Sequence, residues 1–268
     1  MSAAAPTGLL APLTEIARRA GAAILEVYAS GESAVLSKAD DSPLTAADLR
    51  AHRLIAAALR ELTPEVPVLS EEGAATPYAE RAGWARYWLV DPLDGTREFL
   101  SRNGQFTVNI ALIEAHAPVL GVVQVPVGDT TYQGIPGVGA WRQAGGARPE
   151  PIQVQPRAAA PVRVVGSRSH RGDSLDAFLE RVGSFELKPI GSSLKFCLVA
   201  EGSADVYPRL GPTSEWDTAA AHAVAVAAGG TVVQLSGEPL RYNAKAELIN
   251  PFFVVYGDRQ RDWLGLLR

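Results

Sequence analysis

The spacing of apolar residues predicts two helices at the start of the chain. A 3.6-residue period runs through residues 9–28, where the apolar side chains fall on one face. A polar connection over 37–43 leads to Thr45, which opens a second predicted helix that ends near Leu62. Thr45 and Asp48 form a Thr-x-x-Asp pattern that resembles a capping box. Asp48 can therefore be a helix-capping residue or a residue of a functional site, and the pattern alone favours neither explanation.

Two short apolar runs that follow predict strands. The first covers 66–70 and leads into Glu71 and Glu72. Because adjacent residues of an extended chain point to opposite sides, only one of these glutamates should face a site beside the strand. The second run covers 87–90 and is expected to end just before Pro92, which has no N–H to donate to a sheet.

Turn residues at regular intervals then predict a run of antiparallel strands. These strands cover 106–113, 119–125, 130–134 and 139–142. A segment rich in Gly, Pro and Ala over 145–161 follows them. We interpret it as the junction between two halves, 1–155 and 156–268, that together form one catalytic unit.

Strands and helices alternate in the second half. Strands are predicted over 162–165, 185–190, 204–207, 231–235 and 252–256, and helices over 173–182, 194–201, 216–228 and 258–267. Such alternation is typical of a mostly parallel sheet, which binds ligands at the carboxyl ends of its strands.

Composition narrows the classes of function. Of the 268 residues, 47% are hydrophobic and 20% are charged, which is ordinary for a soluble globular protein. A net charge of −4 argues against a nucleic-acid backbone as partner, but not against a small anionic substrate. The single cysteine, Cys197, excludes an internal disulfide and fits a reducing cytoplasm. No secretory signal or membrane span is expected, while peripheral membrane attachment and the choice between monomer and homodimer stay open.

Candidate chemistry begins where the strand over 87–90 ends. Asp91 and Asp94 follow this strand on a tight turn with Gly95, which accepts a positive φ without penalty. Two carboxylates this close repel each other, and a cation between them removes the repulsion. If a helix begins at Thr96, the N–H groups of Gly95 and Thr96 can bind an anion. A divalent metal beside a phosphate is one interpretation, and a purely structural turn is the other.

Further carboxylates extend this candidate site. Glu71 and Asp217 could converge on Asp91 and Asp94, with the carbonyl of Leu93 between the two aspartates. Asp217 opens an Ala-rich helix and is also explained as its N-cap. The four histidines are scattered along the chain, so oxygen ligands and Mg²⁺ or Mn²⁺ are favoured over zinc.

Basic and hydroxyl side chains lie at other predicted strand ends. Ser193 and Lys195 follow a glycine at a predicted helix start, while Arg168–His170 and Arg209 each follow a strand. Each of them is also explained by simple exposure at the surface. Taken together, they indicate a substrate with a second phosphate.

Three motifs together carry a resemblance to a known family. They are Asp91-Pro92-Leu93-Asp94-Gly95-Thr96, the upstream pair Glu71-Glu72, and the downstream run Trp216-Asp217-Thr218-Ala219-Ala220. This pattern resembles the lithium-sensitive, Mg²⁺-dependent inositol monophosphatase superfamily. Within it the chain looks like the 3′(2′),5′-bisphosphate nucleotidases, through the stretches 38–48, 68–72, 86–99, 106–113, 167–170, 191–202 and 207–222.

The resemblance implies a fold, a reaction and a metal. The implied fold is an α/β layered αβαβα sandwich. The implied reaction is hydrolysis of adenosine 3′,5′-bisphosphate, and of its sulfated relative, to the 5′-nucleotide and phosphate, with a link to sulfate assimilation. Two or three Mg²⁺ ions are implied, with Mn²⁺ as a substitute. Lithium inhibition is also expected from the family.

The resemblance also implies residue roles, which we carry over by position. The implied metal ligands are Glu71, Asp91, the carbonyl of Leu93, Asp94 and Asp217. The implied catalytic set that orients the attacking water is Asp48 and Thr96, together with Glu71. The implied substrate-binding residues are Gly95, Thr96, His170, Ser193, Lys195, Arg209 and Asp217.

Two other functions stay open at this point. One is a phosphatase of the same superfamily that acts on inositol monophosphate or fructose 1,6-bisphosphate. The other is a non-catalytic sensor of bisphosphate nucleotides. The basic residues favour a nucleotide with a second phosphate, and the complete set of carboxylates favours catalysis.

Overall fold

The computed structural model describes residues 5–30, 35–37, 43–73, 76–167 and 173–268. The helices are α1 Pro6–Ser30, α2 Ala46–Leu62, α3 Tyr78–Arg81, α4 Thr96–Leu100, α5 Asp173–Val182, α6 Leu194–Ala200, α7 Glu215–Ala227 and α8 Trp263–Leu266. The strands are β1 Val35–Ser37, β2 Pro43–Thr45, β3 Val68–Ser70, β4 Arg86–Asp94, β5 Thr107–Glu114, β6 Ala117–Val125, β7 Thr130–Ile135, β8 Gly139–Ala144, β9 Glu150–Pro151, β10 Val162–Ser167, β11 Phe185–Ile190, β12 Val206–Arg209, β13 Thr231–Gln234 and β14 Phe253–Tyr256. Most predicted elements are confirmed to within a few residues.

Two sheets separate three layers of helices. The first sheet has the order β3-β4-β5-β6-β7-β8-β9, and the second has the order β11-β10-β12-β14-β13. Helices α1 and α2 pack on one face of the first sheet, and α6 and α7 lie between the two sheets. Helices α5 and α8 cover the remaining face of the second sheet. The predicted αβαβα sandwich is therefore confirmed.

The central strands β4, β5 and β6 of the first sheet are buried on both faces, which explains their nearly continuous apolar sequences. Along β4, Trp88 and Val90 pack with α1 and α2, whereas Tyr87 and Leu89 pack on the side of α6 and α7. All four side chains are at most 1% exposed. A strand of this kind shows no polar alternation, because neither of its faces meets water.

Helix α7 lies directly on two paired glycines of the first sheet, Gly121 and Gly134, which we call the glycine seat. A Cβ placed on Gly134 would be 2.5 Å from the Cα of Val224 on α7. A Cβ on Gly121 would overlap the carbonyl oxygen of Ala220 and lie 2.8 Å from the Cβ of Ala223. Only glycine therefore allows the helix to approach the sheet this closely.

The second sheet is mixed, with one strand reversed from the mostly parallel arrangement that the alternation predicts. Strands β11 and β12 both pair parallel with β10, whereas β14 is antiparallel to β12 and β13. Four of its five strands thus run in one direction. The reversed strand β14 follows the connection over 235–252, which contains no helix that would carry the chain back across the sheet.

The sequence prediction is corrected in two places: the extent of the last helix and the extent of the junction between the two halves. The last helix covers Trp263–Leu266 instead of 258–267, because the Asp258 side chain accepts the N–H groups of Ala158 and Gln260 in a turn. Strand β9 lies inside the predicted junction and pairs with β8, so part of that segment belongs to the first sheet. The division of the chain between residues 155 and 156 stays a prediction.

Two predicted features lie partly or wholly outside the part of the chain that the structure describes. The connection over 38–42 and the residues Arg168–His170 lie outside the described residues. The ends of that connection form β1 and β2, which pair antiparallel. Among the helices that the structure describes, none combines the length and the apolar character that a bilayer crossing requires.

Candidate active site

A β-bulge in β4 places Asp91 and Asp94 on one face of the sheet. The prediction that this strand ends before Pro92 is wrong, because the strand continues to Asp94. Asp91 pairs with Asn109 and Asp94 pairs with Thr107, so three steps along β4 match two steps along β5. The extra residue forms the bulge, which accommodates a proline that cannot donate to the ladder. Since Asn109 and Thr107 are two residues apart, their side chains share a face, and the two aspartates that pair with them lie on that same face.

Four predicted carboxylates lie close enough to this bulge to interact electrostatically: Glu71, Asp91, Asp94 and Asp217. Burial raises the pKa of Asp91 well above its usual range, and the charges of the other three carboxylates raise that pKa further. Burial also raises the pKa of Asp217, with Asp94 and Glu71 adding to the effect. Ionised together in a buried site, these groups repel one another, and a bound cation would remove that repulsion.

Only one of the two adjacent glutamates joins this cluster. The side chain of Glu71 hydrogen-bonds the side chain of Asp91. The charge of Glu72 acts instead on His52 of α2, where it opposes the lowering of the imidazole pKa by burial. His52 also lies 2.9 Å from the hydroxyl of Ser70, which precedes Glu71 in the chain. This divergence is the one expected for adjacent residues that leave a strand.

The donor atoms of the cluster fit a hard cation such as Mg²⁺. They are carboxylate oxygens and the backbone carbonyl of Leu93, without thiolate or imidazole, which is the ligand chemistry that Mg²⁺ and Mn²⁺ prefer. No three His, Cys, Asp or Glu side chains of the described residues already surround one point at metal-binding distance. One oxygen each of Asp94 and Asp217 instead accepts a backbone N–H, from Ser193 at 2.5 Å and from Ser214 at 2.9 Å.

Two of the predicted site residues also close capping boxes. Asp48 is the third residue of α2, and its Oδ2 accepts the N–H of Thr45 at 2.8 Å and the hydroxyl of Thr45 at 2.5 Å. Asp217 is the third residue of α7, whose N-cap is Ser214. The prediction that Asp217 is itself the N-cap is therefore wrong. At both positions one carboxylate oxygen closes the capping box and the other can serve a functional site, so the two roles do not exclude each other.

Thr96 lies between Asp48 and the bulge. Its hydroxyl is 3.4 Å from Oδ1 of Asp48 and 3.5 Å from the carbonyl oxygen of Leu93. Gly95 precedes it with φ of +91°, a conformation that favours glycine, and α4 begins at Thr96. The turn and the helix start that the Asp-Gly-Thr sequence predicts are both present.

The predicted phosphate-binding side chains are engaged with their own loops. Lys195 is only 5% exposed, and its ammonium donates to the carbonyls of Ser192 at 2.6 Å and Ile190 at 3.2 Å. Burial lowers the pKa of Lys195 to about 8, and the charge of Asp94 opposes this. The guanidinium of Arg209 donates to the carbonyl oxygens that follow it in the chain. Their substrate-binding roles, and that of His170, stay predictions.

Sequence reasoning missed two polar residues of β5 that contact the cluster. Thr107 and Asn109 are fully buried, and both hydrogen-bond Oδ2 of Asp94, at 3.4 and 3.3 Å. The signal was present in the sequence Phe-Thr-Val-Asn-Ile-Ala, where two polar residues alternate within an apolar strand. Polar side chains on one face of an otherwise apolar strand need buried partners.

With this geometry in hand, comparison with known proteins gives the class of protein. Residues 7–262 match the profile of the inositol monophosphatase family. The chain belongs to this family. The superfamily that the three sequence motifs indicated is thereby confirmed.

Individual relatives are consistent with one branch of the family. The chain is 52% identical to the 3′(2′),5′-bisphosphate nucleotidase CysQ of Escherichia coli over 248 residues, which cover 92% of this chain and 99% of the relative. The identity to the enzyme of the same name from Salmonella typhimurium is also 52%, with the same coverage. The resemblance to bisphosphate nucleotidases is confirmed.

Solved structures agree with these relatives. CysQ from Bacteroides thetaiotaomicron, a bacterial member of the inositol monophosphatase family, superimposes with a TM-score of 0.82 and 46% identity, over 92% of this chain and 96% of that chain. An inositol monophosphatase from Thermotoga maritima superimposes with a TM-score of 0.76 and 26% identity, over 95% of this chain and 94% of that chain.

Proposed function

We propose that the protein is a Mg²⁺-dependent phosphatase that removes the 3′-phosphate of adenosine 3′,5′-bisphosphate, and of its sulfated relative, in the cytoplasm. The observation that carries this proposal is the electrostatic interaction among four carboxylates around the β4 bulge, those of Glu71, Asp91, Asp94 and Asp217. The names of the relatives support the choice of a nucleotide as substrate. A link to sulfate assimilation and the use of Mn²⁺ in place of Mg²⁺ belong to the same proposal.

The cation would be held by the four carboxylates and the carbonyl of Leu93. When bound, Mg²⁺ neutralises charge on a phosphate and lowers the pKa of a water molecule in its shell. The number of ions held during turnover is two or three in this proposal.

Asp48 and Thr96 would direct the attacking water. Oδ2 of Asp48 is occupied by the N–H and hydroxyl of Thr45, so Oδ1 is the atom that accepts the Thr96 hydroxyl proton. The lone pairs of Thr96 Oγ1 then face outward as acceptors for a proton of the water. This arrangement turns the water oxygen toward the phosphorus and gives the departing proton a path to Asp48.

The substrate is tested by phosphate release from adenosine 3′,5′-bisphosphate and from inositol 1-phosphate, measured side by side with Mg²⁺. We expect strong preference for the nucleotide and inhibition by Li⁺ at sub-millimolar to millimolar levels. Preference for inositol 1-phosphate would be compatible with the proposed metal site but would contradict the proposed nucleotide substrate. Binding of the nucleotide with no release of phosphate from either compound would favour a sensor instead.

The two adjacent glutamates provide a matched test of the site. Glu71→Gln should lower kcat by about 10²-fold or more, because it removes a charge from the cluster. Glu72→Gln makes the same chemical change one residue away, on the side that faces His52, and should retain most of the activity. Asp94→Asn should behave as Glu71→Gln does, with the fold intact by circular dichroism. Near-normal activity of Glu71→Gln or Asp94→Asn at low Mg²⁺ would overturn the metal assignment.

A further inference from the structure

The loop that joins β11 to α6 reaches across from the second sheet to the first. We call residues Gly191, Ser192 and Ser193 the 191–193 loop. The N–H of Gly191 donates to the side-chain carbonyl of Gln105 at 2.9 Å. A Cβ on Gly191 would lie 2.5 Å from Cγ of Glu98 and 2.8 Å from the carbonyl oxygen of Gln105. The loop therefore packs so closely against the segment after the bulge that only glycine fits there.

The loop meets the carboxylate cluster at Ser193. The N–H of Ser193 donates to Oδ2 of Asp94 at 2.5 Å. The Asn109 amide donates to the same oxygen at 3.3 Å, and the Thr107 hydroxyl lies 3.4 Å from it. Every one of these hydrogen bonds to Asp94 from the described residues ends on Oδ2. Oδ1 is the oxygen that they leave available.

The hydroxyl of Ser193 fixes the residues around Asp94 as well. It donates to Oδ1 of Asn109 at 2.8 Å and lies 2.8 Å from the hydroxyl of Thr107. Because the Asn109 carbonyl oxygen accepts from Ser193, its NH₂ group is turned toward the Asp94 carboxylate. The serine hydroxyl and the Asp94 carboxylate therefore favour the same orientation of that amide, and removing the hydroxyl takes away one of these two constraints. Ser193 is 3% exposed, so its side chain faces this network rather than solvent.

Lys195 holds the backbone of the loop from the other side. Its ammonium donates to the carbonyl oxygens of Ser192 and Ile190, at 2.6 and 3.2 Å. Ser192 has φ of +48°, which is uncommon for a residue with a side chain and needs support from its surroundings. The loop is thus held by hydrogen bonds from Lys195 as well as by those to Gln105 and Asp94.

We propose that Ser193 is a positioning residue for Asp94, and that it prepares this carboxylate to bind the cation. The proposal rests on the metal site of the proposed function. Hydrogen bonds to Oδ2 hold the Asp94 carboxylate in one orientation. Its Oδ1 can then bind a cation without a rotation of the side chain. Residues that orient a metal ligand in this way commonly change metal affinity by about 10- to 100-fold when they are mutated. The family resemblance implies a substrate-binding role for Ser193, and this proposal replaces it with a role that acts through Asp94.

The test compares Mn²⁺ binding to the substrate-free protein before and after Ser193→Ala, by calorimetry or electron paramagnetic resonance. The variant retains the backbone N–H and loses the hydroxyl that orients Asn109, so we expect Mn²⁺ to bind about tenfold more weakly. The Mg²⁺ concentration for half-maximal activity should rise by a similar factor, while KM for the nucleotide at saturating Mg²⁺ stays unchanged. Ser203→Ala is the matched control, because Ser203 is an exposed serine that bonds Glu201 beyond the end of α6. It should leave both quantities unchanged.

A second variant keeps the proposal testable if Ser193→Ala does not fold. Thr107→Val preserves the shape of the side chain and removes the hydroxyl that touches both Ser193 and Asp94. It should weaken Mn²⁺ binding in the same direction. Unchanged Mn²⁺ affinity in a folded variant would overturn the proposal, as would a rise in KM alone, which would indicate direct contact with the substrate.

The Mn²⁺ measurement needs no substrate, so it separates the two proposals. If the wild-type protein binds Mn²⁺ but releases no phosphate from the nucleotide, the proposed function fails while the role of Ser193 is still measured. If the wild-type protein hydrolyses the nucleotide and Ser193→Ala binds Mn²⁺ normally, only the role of Ser193 fails.

Discussion

Replacing Gly134 with alanine tests how the glycine seat positions α7. The added Cβ would lie 2.5 Å from the Cα of Val224, whereas ordinary contacts of such atoms begin near 3.4 Å. The obstacle is the backbone of a helix, which cannot rotate out of the way. Helix α7 must therefore move away from the sheet by about 0.9 Å, the difference between these distances. Asp217 lies on the same helix, two turns before Val224, and must follow this movement.

The size of the effect follows from this displacement. Overpacking of a tight interface costs about 1–3 kcal/mol, and about 2 kcal/mol would lower the melting temperature of a chain of this size by about 4–8 °C. A misplacement of about 1 Å at a reacting site can reduce turnover by about 10²-fold, so kcat should fall further than stability alone explains.

Urea unfolding and steady-state kinetics on the same preparations measure both effects. Gly146→Ala is the control, because no atom lies within 4 Å of its added Cβ and its φ is not positive. It should change the free energy of unfolding by less than about 0.5 kcal/mol. A Gly134→Ala protein with the unfolding midpoint and kcat of the wild type would refute the reasoning, since it would mean that α7 is not held by this contact.

Two further predictions concern charge and stability. Burial lowers the pKa of His222 to about 3, so the neutral ring contributes stability that is complete above about pH 6.5 and is lost as the pH falls toward 3. Between pH 6.5 and 5 the free energy of unfolding of the wild type should fall by about 2 kcal/mol more than that of His222→Asn. Urea titrations at each pH measure both values, and an equal pH dependence of the two proteins would contradict the prediction. Asp205, 2% exposed, accepts three hydrogen bonds from Arg163, so Asp205→Ala should cost about 3 kcal/mol in chemical denaturation. Glu26→Ala breaks the exposed pair with Arg50 and should cost less than about 1 kcal/mol, and equal costs for the two variants would refute this difference.

Local sequence was sufficient for the features whose causes are local. The Thr-x-x-Asp pattern at Thr45 predicts the start of α2, because a capping box is complete within four residues. The continuous apolar run of β4 likewise predicts that both faces of this strand are buried, as they are in the structure. The set of four carboxylates was predicted from the family resemblance, which is not a local cause.

Features that depend on distant partners could not be predicted in the same way. The bulge at Pro92 is visible only in the pairing with β5, because it is a mismatch between two strands. The glycine seat depends on α7, which is about 90 residues further along the chain than β7. The inward turn of Lys195 depends on the carbonyls of a loop whose positive φ at Ser192 has no marker in the sequence.

The bulge also decides whether the six-residue motif can be moved between proteins. An Asp-x-x-Asp spacing brings side chains together on a helix, and on a regular strand it would place them on opposite faces. Here it works on a strand only because β5 advances by two residues while β4 advances by three. The motif is therefore not a transferable module. A graft into another sheet must bring the Thr-Val-Asn segment of β5 as well, and a change of length by one residue in either strand separates the two carboxylates.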